Sequence, residues 1–489
     1  MLKPVEIYSS SSCCRFFRAV REAWHHSAFA RWLRREPVWL TGKSGFVQLT
    51  WSAAVPAGWR SRAAQGLHNT GTFAGSSLLR TIVKNAWLLL FPLGAYPLID
   101  YALRRGEIQG GLAGTWDELL LLAGLVLVAV RIAYRGLGTY RYTELEVPLF
   151  VYFGVFLFLF LIRSPETAVG IEGVRVYLEY IFWFFVGTGL LDTGRQARVF
   201  LAWFVFVCTV VALYGIGQYI AGVPVPSTWL DQAEAGVRTR AFSVIGSPNV
   251  LGSLLALCLP LSIAGFYTAG CWRRRAGYAL AAAAMALCLV FTFSRGAWLA
   301  VFLGLVLFAL ISKPGLLWAL GAAVLLAPVA SPGITGRLLY LFSFSYLASS
   351  YRSGRIARWQ AALERLSLHP LAGEGFGRFG GAVATRAIPG SFYVDNFYLK
   401  TAAEGGLIGL ATFLWVIFAA WRAGYRAVRA AAQPASKMFA AACLGGLTAV
   451  LLHNFVENIF ETPLMSTLFW LLLGVLVALP HLPAEEGRD

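Results

Sequence analysis

Val147-Pro-Leu-Phe-Val-Tyr-Phe-Gly-Val-Phe-Leu-Phe-Leu-Phe-Leu-Ile162 runs for sixteen residues without a charge, and Leu464–Leu479 does the same near the other end of the chain. Amphipathic core helices of soluble enzymes interrupt their apolar stripe with polar residues every turn, and these blocks do not. A helix needs roughly 17–25 such residues to cross a bilayer core. Working outward in both directions, comparable blocks recur near 82–103, 117–134, 147–163, 172–192, 198–221, 248–269, 277–293, 296–312, 315–330, 402–420, 438–456 and 464–480. The spans starting at 277, 296 and 315 are tightly joined, so a count of eleven stays open. Of the 489 residues, 58% are hydrophobic and 13% charged, against about 25% charged in soluble domains. The expectation is an all-α, polytopic membrane protein of about twelve transmembrane helices.

Basic residues on the short joints orient the spans. With the N-terminus inside, inner joints carry Arg135 and Arg141, Arg195 and Arg198, Arg273–Arg275, Lys313, and Arg422, Arg426, Arg429 and Lys437; Arg104–Arg105 is the opposing pair. Both termini are therefore expected in the cytoplasm and the protein in the inner membrane. Four parts follow: a basic arm at 1–81, spans one to nine at 82–330, a large outer loop at 331–401, and spans ten to twelve with a short tail at 402–489. In the arm, Phe16, Val20, Trp24, Ala28 and Trp32 recur at helical spacing among arginines. That pattern suits either a helix lying on anionic lipid or an unstructured tail. No cleaved leader is expected, because the first 80 residues hold no long apolar stretch before a small-residue cleavage site. None of the seven cysteines falls in a predicted outer loop, so no external disulfide framework is implied. No phosphate-cradling loop in a strand–turn–helix setting is present, and the positive charge sits where topology puts it, so nucleic acid is not an expected partner.

The outer loop holds Arg337, Arg352, Arg355, Arg358, Arg365, Arg378, Arg386 and Lys400 against Glu364, Glu374 and Asp395. Long loops translocate largely regardless of charge, so topology permits this excess without demanding it. The spacing predicts a helix over Ser353–Leu368, with Ile356, Trp359, Leu363 and Leu366 on one stripe and Arg355, Arg358 and Arg365 on the adjoining arc. Guanidinium groups about 6 Å apart repel by about 2–3 kcal/mol at an effective dielectric near ~20, so such an arc is either well hydrated or faces an anion. Arginine's forked donors suit phosphate or pyrophosphate. His369-Pro-Leu-Ala-Gly-Glu-Gly-Phe-Gly377 then opens a glycine-rich turn, and Asp395–Asn396 and Glu404 stand at the mouth of the tenth span. Glu404 suits either a site or the interface. Arg295, in a short outer turn, either snorkels to headgroups or binds substrate.

These residues resemble the signature region of the O-antigen ligase and polymerase superfamily. Its pattern is an arginine four before a tryptophan (Arg355, Trp359) and a Pro and Gly-x-Gly turn (Pro370, Gly373, Gly375). A His–Asn-type pair nine residues before Gly-x-x-Gly completes it (Asp395–Asn396, Gly406 and Gly409). Upstream, Arg240-Ala-Phe-Ser-Val-Ile-Gly-Ser-Pro-Asn249 looks like the approach to a central span, with Ser247 and Pro248 suited to a helix N-cap and first turn. Ser294-Arg-Gly-Ala-Trp-Leu299 looks like the family's short outer turn. The resemblance covers roughly residues 150–480, in order.

The resemblance implies a GT-C-like, metal-independent, inverting glycosyltransferase that needs no cofactor. Its donor would be a polyprenyl-pyrophosphate-linked glycan and its acceptor a glycan or lipid hydroxyl, met among membrane lipids on the outer face. Arg355, Arg295 and Asp395 would be catalytic, and Arg240, Arg358, Asn396, Glu404 and Trp359 would bind substrate. The chain departs from the pattern at Asp395, where ligases carry histidine; His453–Asn454 lacks a Gly-x-x-Gly at the required distance and is expected to face neighbouring helices or headgroups. A ligase, a polymerase and a protein O-glycosylating enzyme share these motifs. A lipid-linked glycan transporter is the rival of another class, and it predicts charge at mid-membrane on several spans.

Overall fold

The computed structural model describes residues 77–105, 112–136, 140–224, 239–330, 343–352 and 354–483. The expected amphipathic arm and the start of the outer loop with Arg337 lie outside them. Among the described residues the chain is helical, without strands. A bent entry comprises α1 (Ser77–Asn85), α2 (Leu90–Gly94) and α3 (Tyr96–Arg105). It is followed by α4 (Leu112–Arg135), α5 (Glu146–Ile162), α6 (Thr167–Leu178), α7 (Phe182–Gly189), α8 (Gly194–Ile220) and α9 (Pro248–Thr268). Next come α10 (Trp272–Phe291), α11 (Arg295–Ser312), α12 (Leu316–Ala330), and three loop helices, α13 (Phe344–Arg352), α14 (Arg355–Leu368) and α15 (Ala382–Ala387). The chain closes with α16 (Phe397–Ala430), α17 (Pro434–His453) and α18 (Pro463–Ala478).

Each of the twelve expected segments is helical. Seven helices among the described residues are long and apolar enough to span by themselves, eight if the first bent pair, 63° apart, is one span. The others depart for visible reasons. The segment expected at 172–192 is broken by a 3-10 turn at Glu179–Ile181, α5 and α12 have only 17 and 15 residues, and α4 carries Asp117, Glu118, Arg131 and Arg135. The chain is a polytopic all-α protein.

α17 and α18 lie at the centre, with α9 and α11 packed on α17 and α7 on α18. Small residues make this possible. A Cβ on Gly445 would meet the Gly304 carbonyl and one on Gly446 the Leu257 carbonyl, so the backbones touch directly. Without a hydrophobic drive between helices in lipid, such close approach is a main source of association. At the end expected to be cytoplasmic the arginines are not merely solvated: Arg131 meets Asp192 at 2.5 Å beside Arg135, and Glu144 takes Arg422 and Arg426.

Helix α9 opens as its sequence suggests, with the Ser247 side chain accepting from Val250 N at 3.4 Å and Pro248 in the first turn. Helix α16 is less regular. Gly406 sits at φ 65°, ψ −169°, so the helix breaks near its start. The glycine-rich stretch after α14 fits into the break: Glu374 N donates to Ala403 O at 2.9 Å, Gly375 N to Glu404 O at 3.0 Å, and Leu407 N to Pro370 O at 2.8 Å. Irregular backbone at membrane depth persists only where protein satisfies it. Side chains would not fit this contact, since a Cβ on Gly406 would strike the Leu371 carbonyl and one on Gly373 the Glu404 carbonyl.

Candidate functional site

Helix α14 turns Arg355 and Arg358 toward the segment before α16, while Arg365 stays half-exposed. Trp359 packs with Ala362, Phe379, Val394 and Ala403 in a small core of its own, while Leu363, expected on the buried stripe, is 52% exposed. The inward stripe is therefore Arg355, Arg358, Trp359, Ala362 and Leu366, one residue row from the expected one. Trp359 serves as the wedge that sets the helix angle.

The segment before α16 faces that stripe. Asp395 holds a left-handed backbone, φ 53°, a conformation Asp tolerates better than most side chains. Its carboxylate receives Arg358 Nη1 at 2.6 Å and lies 3.9 Å from Arg355 Nε. Asn396 is the N-cap of α16, accepting from Leu399 N at 3.0 Å, and is buried. It shapes the site through backbone, where substrate contact was expected.

A third wall of the site was not legible in the sequence. The loop after α17 is stitched to the start of α16: Asn396 N donates to Asn458 Oδ1 at 2.9 Å, Phe397 N to Asn454 O at 2.9 Å, and Asn458 Nδ2 to Gly380 O at 2.6 Å. This brings Glu457 to the cluster, with Oε2 4.0 Å from Arg355 Nη2. Asn249 donates to the same oxygen, and its own Oδ1 accepts from Arg240 Nη2 at 3.3 Å. One amide orientation satisfies both contacts. Arg240 is further fixed by its Nε donating to Thr292 O at 2.8 Å. A continuous relay thus links Arg240, Asn249, Glu457, Arg355, Asp395 and Arg358. Burial first, then the charge of Asp395, pushes the Glu457 carboxyl up to about 7, against the pull of Arg355; desolvation and a like charge both disfavour the ionised form.

Arg295 opens α11 on the same side. Its neighbour Gly296 packs against Val456 and the His453 ring, 3.0 Å from where a Cβ would stand, so any side chain at 296 would displace the Glu457 loop. His453 is buried and hydrogen-bonded to Ser253 at 2.5 Å. It faces helices, as expected, but next to the arginine cluster. Glu457 escaped notice because it lies outside the signature motifs and reaches the cluster only by helix packing; Asn249 and His453 stood in view in the sequence, but without a role at the site.

Glu404 is placed differently from the expectation. It has no exposed surface, and it accepts from Lys400, from Tyr177 OH at 2.8 Å and from Phe379 N at 3.2 Å. Lys400 also meets Glu461, which takes Ala382 N at 2.8 Å. These buried groups clamp the glycine-rich stretch to the bundle. The remaining loop cations described are partly spoken for: Arg365 pairs with Glu374, Arg378 with Glu166 and Arg386 with Glu172. Arg355 and Arg358 stay at the centre, 33% and 36% exposed, with Asp395 and Glu457 at 14% and 16%. The cluster is open to solvent on one side. Among the described residues, no three His, Cys, Asp or Glu side chains are grouped to hold a metal ion.

Residues 280–414, from the middle of α10 through the broken start of α16, match the family described as O-antigen ligase. This stretch is similar to the O-antigen ligase family and covers a little over a quarter of the chain. The matched segment contains Arg295, Arg355, Arg358, Trp359, Asp395, Asn396 and Glu404; the wall formed by Arg240, Asn249, His453 and Glu457 comes from outside it. No curated protein matches the sequence. Members of that family are glycosyltransferase-like ligases and polymerases of polysaccharide biosynthesis acting on lipid-linked glycans. The apolar helices of this chain make it a multi-pass membrane protein.

Proposed function

We propose that this protein moves a glycan from polyprenyl pyrophosphate to an acceptor hydroxyl at the outer face of the cytoplasmic membrane, with both termini inside. The observation that carries the reading is the meeting of Arg240, Arg355 and Arg358, from parts of the chain more than a hundred residues apart, in one relay with a solvent-open side. Cations held by neighbours in fixed directions suit a diphosphate, because they stabilise charge as it develops on the leaving group without having to reorganise. Arg355 and Arg295 would take the pyrophosphate, with Arg240 and Arg358 completing the cradle. Asp395 would keep Arg358 and Arg355 aimed, Trp359 and Asn396 would hold the walls in place, and Glu404 would act from within the bundle. No step needs a metal.

The test is transfer by purified protein in detergent with EDTA, using a lipid-pyrophosphate glycan pool and candidate acceptors. Wild type should transfer in EDTA and Arg355→Ala should not. A ladder of products would assign a polymerase, a single addition a ligase. No product from authentic donor and acceptor would reject the transferase in favour of transport.

A further inference from the structure

Two carboxylates flank the Arg355 guanidinium, and their surroundings differ. Asp395 lies 3.9 Å from Nε and is already occupied by Arg358 at 2.6 Å. Glu457 lies 4.0 Å from Nη2, and its closest hydrogen bond comes from the neutral amide of Asn249. Pairs of carboxyl groups in unlike surroundings divide their work in this way, one staying charged and the other free to exchange a proton.

We propose that Glu457 is the group that takes the proton from the acceptor hydroxyl, with Asp395 as the positioning residue that holds the arginines. The inference rests on the transferase reading above. In the step, the acceptor oxygen forms a bond to the anomeric carbon as its proton passes to a Glu457 carboxylate oxygen. The bond from that carbon to the pyrophosphate oxygen breaks, and its electron pair leaves with the lipid pyrophosphate, whose new charge the arginines meet. Glu457 then releases the proton to solvent through its exposed side.

The surroundings of Glu457 support this from every side. Arg355 faces it from α14, with Arg358 behind through Asp395; Asp395 faces it from the approach to α16; Arg240 acts through Asn249 from the approach to α9; and His453 precedes it beside the Arg295 turn. Burial and then the Asp395 charge push the carboxyl up to about 7, where a general base is about half ionised at neutral pH and accepts a proton readily.

The experiment measures kcat and donor KM across about pH 5–9 for the full-length protein, with wild type, Glu457→Gln, Asp395→Asn and Asn249→Ala compared. Wild-type activity should rise to a plateau through an inflection near the Glu457 value. Glu457→Gln should lose about 10²–10⁴-fold in kcat, and the inflection with it, while donor KM moves by less than about threefold. Asp395→Asn, which keeps a side chain tolerant of positive φ, should retain an inflection at lower pH because the like charge is gone. Asn249→Ala should move it to higher pH, because the amide bond favours the carboxylate; this variant carries the test if Glu457→Gln does not fold. A Glu457→Gln enzyme with an unchanged profile, or an inflection that only Asp395→Asn abolishes, overturns the assignment and leaves the transferase standing. A wild type that transfers nothing overturns both.

Discussion

Lys400 ion-pairs with Glu461 across 2.9 Å where the two side chains are 3% and 4% exposed, and it contacts Glu404 on its own helix as well. One cation thus holds two carboxylates, and each of those takes a backbone N–H of the 379–382 stretch. Breaking such a buried pair costs about 3–5 kcal/mol, because the partners are left uncompensated. Lys400→Met should therefore lower the thermal midpoint in detergent sharply, and Lys400→Met with Glu461→Gln should recover part of it. Equal destabilisation by the single and double variants would show that the clamp is not a coupled unit.

The break in α16 makes a second prediction. Gly406→Ala adds a Cβ at φ 65° against the Leu371 carbonyl. It should destabilise by more than about 1–2 kcal/mol and reduce transfer, since the same break seats the loop that carries Asp395. Gly277→Ala, in regular helix with nothing near the added atom, should be neutral or slightly stabilising. Thermal unfolding of both variants checks the contrast.

The loop arginines should separate by position. Arg355→Ala should cost about 10²–10³-fold in kcat, the usual loss for one preorganised donor to a developing charge. Arg355→Lys should restore only part, because an ammonium lacks the fork. Arg365→Ala removes a half-exposed pair with Glu374 and should change stability by less than about 1 kcal/mol, with activity near wild type. Steady-state transfer rates decide between a positional and a bulk-charge effect.

Glu457 also links stability to pH. Its carboxyl is raised in the folded protein to about 7 from an ordinary 4.5, so the folded state binds the proton more tightly than the unfolded chain. That contribution is complete below the unfolded value and is lost as pH rises through the folded one. Wild type should lose thermal stability between about pH 5 and 8, and Glu457→Gln should exceed it at the alkaline end. Parallel melting curves across that window would contradict the burial of Glu457.

Hydrophobic blocks are local signals, and residue order alone placed the twelve helical segments, the Ser247 cap and a loop helix expected over 353–368, which runs from Arg355 to Leu368. Arg355, Arg358, Arg295 and Asp395 could be named as candidates from sequence, because they lie within short stretches of chain. Charge sign and helical spacing could not say which face of α14 turns inward. Trp359 settles that by packing on Phe379 and Val394, residues some twenty or more positions away. Glu404 read as a residue at the membrane mouth because burial is invisible in sequence; Lys400 and Tyr177 hold it inside. Glu457 carries no motif, and its partners lie 62 to 208 positions away in the chain. Sequence determined which segments are apolar helices and which cations stand outside them. Only the packing of α9, α11 and α17, where small residues let backbones touch, decided which carboxylates those cations meet.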